Sequence, residues 1–157
     1  NEFNFEAVVP VSALKNENVD LIIEELKKLT AEGGHFFEED TLTDQSERVL
    51  ASEMIREKLL RNLDEEIPHG TAVTIEEWKE KRGVVSIRAE IYCEKATHKG
   101  IIIGKGASTI KKIGTYARED IERMLDAKVF LELWVKVKDN WRNSDMMLKN
   151  FGYKEQK

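Results

Sequence analysis

The fold is decided by residues 99–113, KGIIIGKGASTIKKI, in which a glycine-containing loop separates two apolar segments. Residues 98–103 predict a short helix, and Gly104 and Gly106 interrupt it because glycine disfavours helical continuation. A longer helix is predicted after the loop, since apolar side chains recur there every three or four residues. They are Ala107, Ile110, Ile113, Ala117, Ile121 and Met124. The segment is therefore a helix–loop–helix with its loop at residues 104–107.

Two predicted strands precede this segment and one follows it. Residues 71–79 and 84–94 flank a turn at residues 81–83, which predicts a hairpin. Residues 128–138 alternate between apolar and polar side chains, as a half-buried strand does. The apolar alternation of the second strand, which occupies one face only, consists of Val85, Ile87, Ala89, Ile91 and Cys93. We predict an α+β domain with a three-stranded sheet and helices on one face.

The residues before the hairpin predict two helices and a linker. A helix opens after residue 44, where Asp44 and Glu47 have the spacing of a capping box. Upstream, residues 5–10 predict a strand ending at proline, followed by a helix that Asn16 or Asn18 caps. The acidic stretch 33–43 predicts a linker. From residue 44 the order is helix, strand, strand, helix, helix, strand.

The composition excludes several classes of protein. The 157 residues are 41% hydrophobic, which is enough to form a core and excludes wholesale disorder. The single cysteine, Cys93, excludes an intramolecular disulfide and a cysteine-based zinc site. His35, His69 and His98 are too dispersed in sequence to predict a metal site. Neither a membrane-spanning run nor a signal peptide is evident, so we expect a cytoplasmic protein.

The net charge of −5 is divided unevenly along the chain. Residues 1–70 carry 7 Lys/Arg and 17 Asp/Glu, whereas residues 71–157 carry 18 and 13. Six basic residues and only one acidic residue lie between positions 94 and 118, which favours an anionic partner there. A solvated helix face is the alternative that charge alone leaves open.

The loop itself has the chemistry of a backbone-binding site. Glycine has no Cβ, so a sugar–phosphate backbone can come close to it, and the helix that follows offers amides and a positive dipole end to phosphates. Lys105 adds charge at the tip, and Lys111 and Lys112 lie one turn further on. The run Ile101–Ile103 is predicted to form the wall of a groove for bases. The spacing does not fit a nucleotide-binding P-loop.

The loop and its surroundings resemble those of a known family. Residues 103–107 with Ile110 are similar to the Gly-x-x-Gly loop of KH domains, and the element order is that of the type II variant. The resemblance extends to the C-terminal part of the Era family of bacterial GTPases. It is carried by four further segments in the family's order: residues 65–69, 99–105, 111–114 and 133–138, the last followed by Trp141-Arg142.

The resemblance implies a function and a domain organisation. Residues 44–157 would be a type II KH domain with a C-terminal extension. The domain would bind single-stranded RNA at the 3′ end of 16S ribosomal RNA, in assembly of the small ribosomal subunit. DNA is not expected as a partner. The implied RNA-binding residues are Lys99, Gly100, Ile101, Ile102, Ile103, Gly104, Lys105, Gly106, Ala107, Ser108, Lys111 and Lys112. Residues 1–32 would be the last part of a GTPase domain, with Ser12, Ala13 and Leu14 left from its guanine-base motif.

The resemblance also implies what this chain does not carry out by itself. A phosphate loop and switch segments are absent from the sequence, so we expect no catalytic residue and no cofactor here, with GTP and Mg²⁺ expected only in an intact parent GTPase. The alternative function is a module that docks on a protein or, peripherally, on the inner membrane. One departure concerns Ala107, which stands where the family has glycine. We expect the helix's first turn to accommodate it and its methyl group to reduce affinity.

Overall fold

The computed structural model describes residues 3–31, 33–34, 37–38, 43–64 and 66–153. Most of the predicted linker, His35 and Glu65 lie outside the described residues. The chain divides into two compact units, Asn1–Thr43 and Asp44–Lys157, and each is described by itself. In neither is any described helix both long and apolar enough to cross a bilayer.

The first unit consists of one helix and a turn. Helix α1 spans Val19–Leu29 and buries none of its residues. It begins after Asn18, which is one of the two predicted capping residues. The side chain of Asn18 does not cap α1, because its Nδ2 donates to the Pro10 carbonyl instead, and its backbone has a φ of 57°. The predicted strand over residues 5–10 is wrong, because no described segment pairs with it. A strand needs a neighbour for its backbone hydrogen bonds.

The second unit has the predicted element order. Helix α2 spans Glu47–Asn62 and is capped by Ser46, whose hydroxyl accepts from the Val49 N–H at 3.4 Å, rather than by Asp44 as the sequence predicts. The other strands and α-helices of this unit are β1 (Ala72–Lys81), β2 (Val84–Cys93), α3 (Ala96–Ile103), α4 (Ser108–Leu125), β3 (Lys128–Val137) and α5 (Asp145–Asn150).

The three strands form one sheet in the order β1-β2-β3. Strands β1 and β2 are antiparallel and joined by Arg82 and Gly83, which both have positive φ, while β2 and β3 are parallel. A parallel pair needs a crossover connection, and α3, the glycine loop and α4 provide it. The glycine loop therefore lies within the crossover between β2 and β3.

The core lies between the helices and one face of the sheet. The β2 residues predicted to share that face are all buried there, together with Ile55 and Leu59 of α2 and Ile113, Ala117 and Ile121 of α4. Lys58 of α2 forms an ion pair with Asp120 of α4 and so joins the two helices across this layer. The fold class, α+β with helices on one face, is confirmed.

The opposite face of the sheet is only partly covered. At one end, Phe151 packs 4.8 Å from Tyr92, and Trp141 is buried with its indole N–H donating to the Gly70 carbonyl. Further along β3 on the same face, Trp134 and Phe130 are 57% and 59% exposed. Side chains that alternate outward are buried only if a second layer covers them, and none of the described residues covers these two.

Candidate nucleic-acid interface

The glycine loop begins at a residue that only glycine can occupy without strain. Gly104 has φ 74° and ψ 169°, and its N–H donates to the Gly100 carbonyl at 2.9 Å, ending α3. A Cβ added there would lie 2.9 Å from the backbone nitrogen of Thr109, closer than side chains approach backbone. This position therefore fixes how the chain turns from α3 into α4.

The tip of the loop is exposed. Lys105 and Gly106 are both exposed, and Gly106 has φ 59° with open space where a Cβ would stand. The Ala107 N–H donates to the Gly104 carbonyl at 3.1 Å, which closes the turn. A backbone that approaches the tip meets a cation and no side chain at Gly106.

Ala107 adopts a conformation that the sequence did not predict. It is not in the first turn of α4 but is the residue before it, in the left-handed region with φ 62° and ψ 25°. For a residue with a Cβ this conformation costs roughly 1–2 kcal/mol. The expectation that Ala107 lies in the first turn of α4 is therefore wrong. Glycine, which the family has at this position, adopts such a positive φ without strain.

A groove of about 450 Å³ runs between α4 and β3. Its walls are mainly apolar, with a cation towards either end of the α4 side. The lining residues are Ile110, Lys111, Gly114, Thr115, Arg118, Leu131 and Leu133. Such a groove has the chemistry to hold unstacked bases against apolar side chains.

The predicted wall of isoleucines does not line this groove, whose lining includes none of residues 101–103. Ile101 is 49% exposed and Ile103 is half-buried, but Ile102 is fully buried in the core and cannot contact a ligand. On a helix, adjacent residues point about 100° apart, so three consecutive side chains cannot share one face. The assignment of Ile102 to the groove is corrected to a core role.

Sequence reasoning missed most of the groove because its apolar residues resemble core residues. Ile110, Leu131 and Leu133 follow the core periodicity and are in fact partly buried. The signal that could have found the groove is Gly114 in mid-helix, since a Cβ there would lie 3.3 Å from Leu133 Cδ1. An interior helical glycine often marks a close approach.

The cations near the groove differ in how they are held. Lys105, Lys111 and Lys112 are exposed, and the Lys112 ammonium lies 5.9 Å from the centre of the Tyr116 ring. Arg118 instead forms an ion pair, Nη1 to Glu122 Oε2 at 2.8 Å. The other Glu122 oxygen accepts from the Val129 N–H at 3.0 Å. This hydrogen bond and the positive charge of Arg118 hold the pKa of Glu122 below its usual value.

The remaining predicted residues are placed as follows. Lys99 is half-buried and Gly100 exposed on α3, and Ser108 is exposed as the first residue of α4. Ser12, Ala13 and Leu14 lie in the first unit, where the Lys15 N–H donates to the Ser12 hydroxyl at 3.3 Å. His98 lies on α3 with Nδ1 buried and unpaired. Among the described residues no group of three potential ligands could hold a metal ion.

The family comparison decides what this region is. The family model for the KH domain matches residues 66–142, which include the loop, α4 and β3. Residues 66–142 are a KH domain. The resemblance inferred from residues 103–107 is confirmed.

The whole chain is similar to two proteins named GTPase Era. It is 59% identical over 155 residues to GTPase Era of Ruminiclostridium cellulolyticum, covering 98% of this chain and 52% of that protein. It is 52% identical over 153 residues to GTPase Era of Clostridium kluyveri, covering 97% and 52%. The resemblance to the KH-containing part of Era is confirmed, and the chain spans about half the length of these relatives.

Solved structures agree with the sequence relatives. Era in complex with MgGDPNP and nucleotides 1506–1542 of 16S ribosomal RNA superposes with a TM-score of 0.89 at 39% identity, over 96% of this chain and 51% of that one. Era of Aquifex aeolicus bound to GDP.AlF4- gives 0.88 at 39% identity, with the same coverage.

Proposed function

We propose that the KH domain binds single-stranded RNA, with the sugar–phosphate backbone against residues 104–108 and the bases in the groove between α4 and β3. The observation that carries this proposal is the juxtaposition of the exposed Lys105–Gly106 tip with an apolar groove. Phosphates need charge and close approach, whereas bases need an apolar surface. The two requirements are met on adjoining surfaces.

The target we propose is the 3′ end of 16S ribosomal RNA, in assembly of the small ribosomal subunit. The similar Era structure holds nucleotides 1506–1542 of that RNA, which supports RNA over the alternative of a protein- or membrane-docking module.

We also propose that residues 1–32 are part of a GTPase domain, and that GTP and Mg²⁺ bind to parts of that domain outside this chain. Residues 33–43 would link it to residues 44–157, and the protein would be cytoplasmic. The exposed apolar side chains of α1 support the first of these.

The RNA-contacting residues that we propose are the exposed and half-buried members of the predicted set. They are Lys99, Gly100, Ile101, Ile103, Gly104, Lys105, Gly106, Ala107, Ser108, Lys111 and Lys112, joined by the groove residues Ile110, Gly114, Thr115, Arg118, Leu131 and Leu133.

A fluorescence anisotropy titration tests the proposal. A labelled RNA matching the 3′ end of 16S ribosomal RNA and a scrambled RNA are titrated with the full chain at low and moderate salt. We expect preference for the ribosomal RNA and an affinity that falls with salt, because lysines displace counterions.

The variant Lys105→Asp should weaken binding roughly tenfold or more, as expected when a charge-assisted contact becomes repulsive. Lys27→Asp makes the same charge change on α1, outside the KH domain, and should leave the affinity within about twofold. Equal losses in the two variants would contradict a site at the loop. Gly104 is unsuitable for this test, because a side chain there would strain the fold itself.

A further inference from the structure

The groove has a cation towards either end of its α4 side, and the two differ in kind. Lys111 and Arg118 are seven residues apart on α4, which is two helical turns or about 10.5 Å. Lys111 lies nearer the glycine loop and is exposed. Arg118 lines the end of the groove away from the loop. A nucleotide chain clamped at the loop would reach Lys111 first and Arg118 last.

Arg118 is held in place from both sides of the groove. Its Nη1 lies 2.8 Å from Glu122 Oε2 on the same helix, and Glu122 Oε1 accepts from the Val129 N–H at 3.0 Å, on the strand that forms the opposite wall. Nη2 lies 4.0 Å from Glu119 Oε1. The guanidinium is thus tied through one carboxylate to the backbone of β3, and such a tie limits how far it can move.

This pairing changes what the guanidinium attracts. The adjacent carboxylate offsets its positive charge, so its long-range attraction for phosphate is weaker than that of a free arginine. The N–H donors that face neither Glu122 nor Glu119 are unaffected, and the side chain is 37% exposed at the groove. The planar set of guanidinium N–H donors, here called the fork, is fixed in position and partly neutralised in charge. It is therefore better suited to a base edge than to a phosphate.

The donor set selects among the four bases. Arginine has five N–H donors and no acceptor, so it pairs well only with an edge that carries two adjacent acceptors. Guanine offers O6 and N7, and cytosine offers O2 and N3. Adenine has the N6–H2 donor beside N1 and N7, and uracil has N3–H between O2 and O4, so neither base offers two adjacent acceptors. Single-stranded RNA exposes these edges because its bases are unpaired.

We propose that Arg118 determines specificity at the end of the groove away from the loop, selecting cytosine or guanine there, and that Glu122 is the residue that positions it. This inference rests on the proposed function, because it assumes that bases lie in the groove. It assigns the selection to the shape of the fork rather than to its charge.

The test uses the full chain and uridine decamers in which the central base is uracil, cytosine, guanine or adenine. We expect the cytosine or the guanine decamer to bind at least about fivefold more tightly than the all-uridine decamer, the lower range for a bidentate arginine contact. The adenine decamer should stay within about twofold. The arms with cytosine and guanine show which of the two is selected.

Three variants separate the fork from its charge. Arg118→Lys keeps the charge and loses the fork, so the preference for cytosine or guanine should disappear. Glu122→Gln should reduce the preference and leave all-uridine binding within about threefold. Arg123→Lys is the matched control on the same helix, because Arg123 pairs with Asp120 and does not line the groove.

The outcomes distinguish the two proposals. A preference that survives Arg118→Lys, or equal affinities for all four decamers, would overturn the role of Arg118 while RNA binding stands. Absence of binding to any decamer or to the ribosomal RNA would overturn the proposed function as well. Thermal unfolding of each variant checks that the fold is retained.

Discussion

The two compact units use their apolar residues in opposite ways. Helix α1 of the first unit buries none of its residues, and Ile23 on that helix is 50% exposed. In the second unit α4 buries Ile113, Ala117 and Ile121 completely. The apolar periodicity of the two helices is similar, so the difference lies in what packs against them. Residues 44–157 contain their own core, whereas α1 presents a face without a partner layer among the described residues.

The largest expected effect tests this difference directly. Ile113→Ala should lower the free energy of unfolding by about 2–5 kcal/mol, because it leaves a cavity in a closed core. Ile23→Ala makes the same change on α1 and should shift the stability by less than about 0.5 kcal/mol. Chemical denaturation of both variants measures the contrast. Comparable losses would show that α1 has a buried face after all.

The next effect concerns the two glycines of the loop. Gly104→Ala should cost at least about 2 kcal/mol, because the residue has φ 74° and the new Cβ would lie 2.9 Å from the Thr109 nitrogen. Gly106→Ala has open space and should cost only about 1 kcal/mol for its left-handed backbone. Thermal unfolding compares the pair, and a reversed order would contradict the loop geometry.

A smaller effect is expected from the Lys58–Asp120 ion pair, which joins α2 to α4. On α1, the ion pair among the described residues is a local one, between Lys28 and Glu25. The hydrogen bond from Lys58 holds the pKa of Asp120 below its usual 3.8. A lowered carboxyl pKa stabilises the fold above about pH 4, and the contribution is lost as the pH falls through the folded-state value.

Asp120→Asn should therefore reduce the melting temperature at pH 7, and the difference from the unmodified chain should shrink as the pH falls below about 4. Thermal melts from pH 2.5 to 7 measure this difference. Asp20→Asn on α1 is the control, for which we expect a small effect. A gap between Asp120→Asn and the unmodified chain that stays constant down to pH 2.5 would rule out the ion pair as its cause.

The smallest effect is a gain. Ala107→Gly removes the strain of a left-handed alanine and should raise the stability by at most about 1 kcal/mol, since glycine also gains freedom in the unfolded chain. RNA affinity should rise or stay unchanged, because the methyl group is lost from the loop. A clear loss of stability would mean that Ala107 does not have the positive φ of 62°.

Local patterns predicted the fold well, but features that depend on packing between elements were not predictable. The alternation in β2 and β3 and the break at Gly104 are read directly from neighbouring residues. The groove depends on how closely α4 approaches β3, and Gly114 marks a close approach without indicating which element makes it. Ala107 looks helical by propensity, yet closure of the preceding turn sets its backbone.

The outward face of the sheet shows the same limit. The alternation in β3 correctly places Trp134 on the face opposite the core, but its burial depends on whether another layer lies above it. The aromatic group around Trp141 and Phe151 covers the Tyr92 end only. Coverage is a property of distant chain segments, so the alternation alone could not predict that Trp134 is 57% exposed.

The most direct test of the central claim is an NMR titration of the ¹⁵N-labelled chain with the ribosomal RNA, following the backbone amide shifts. The claim predicts the largest changes at residues 104–109 and at Leu131–Leu133, with negligible changes along α1. Changes centred on Phe130 and Trp134, or on α1, with the loop amides unmoved, would contradict it.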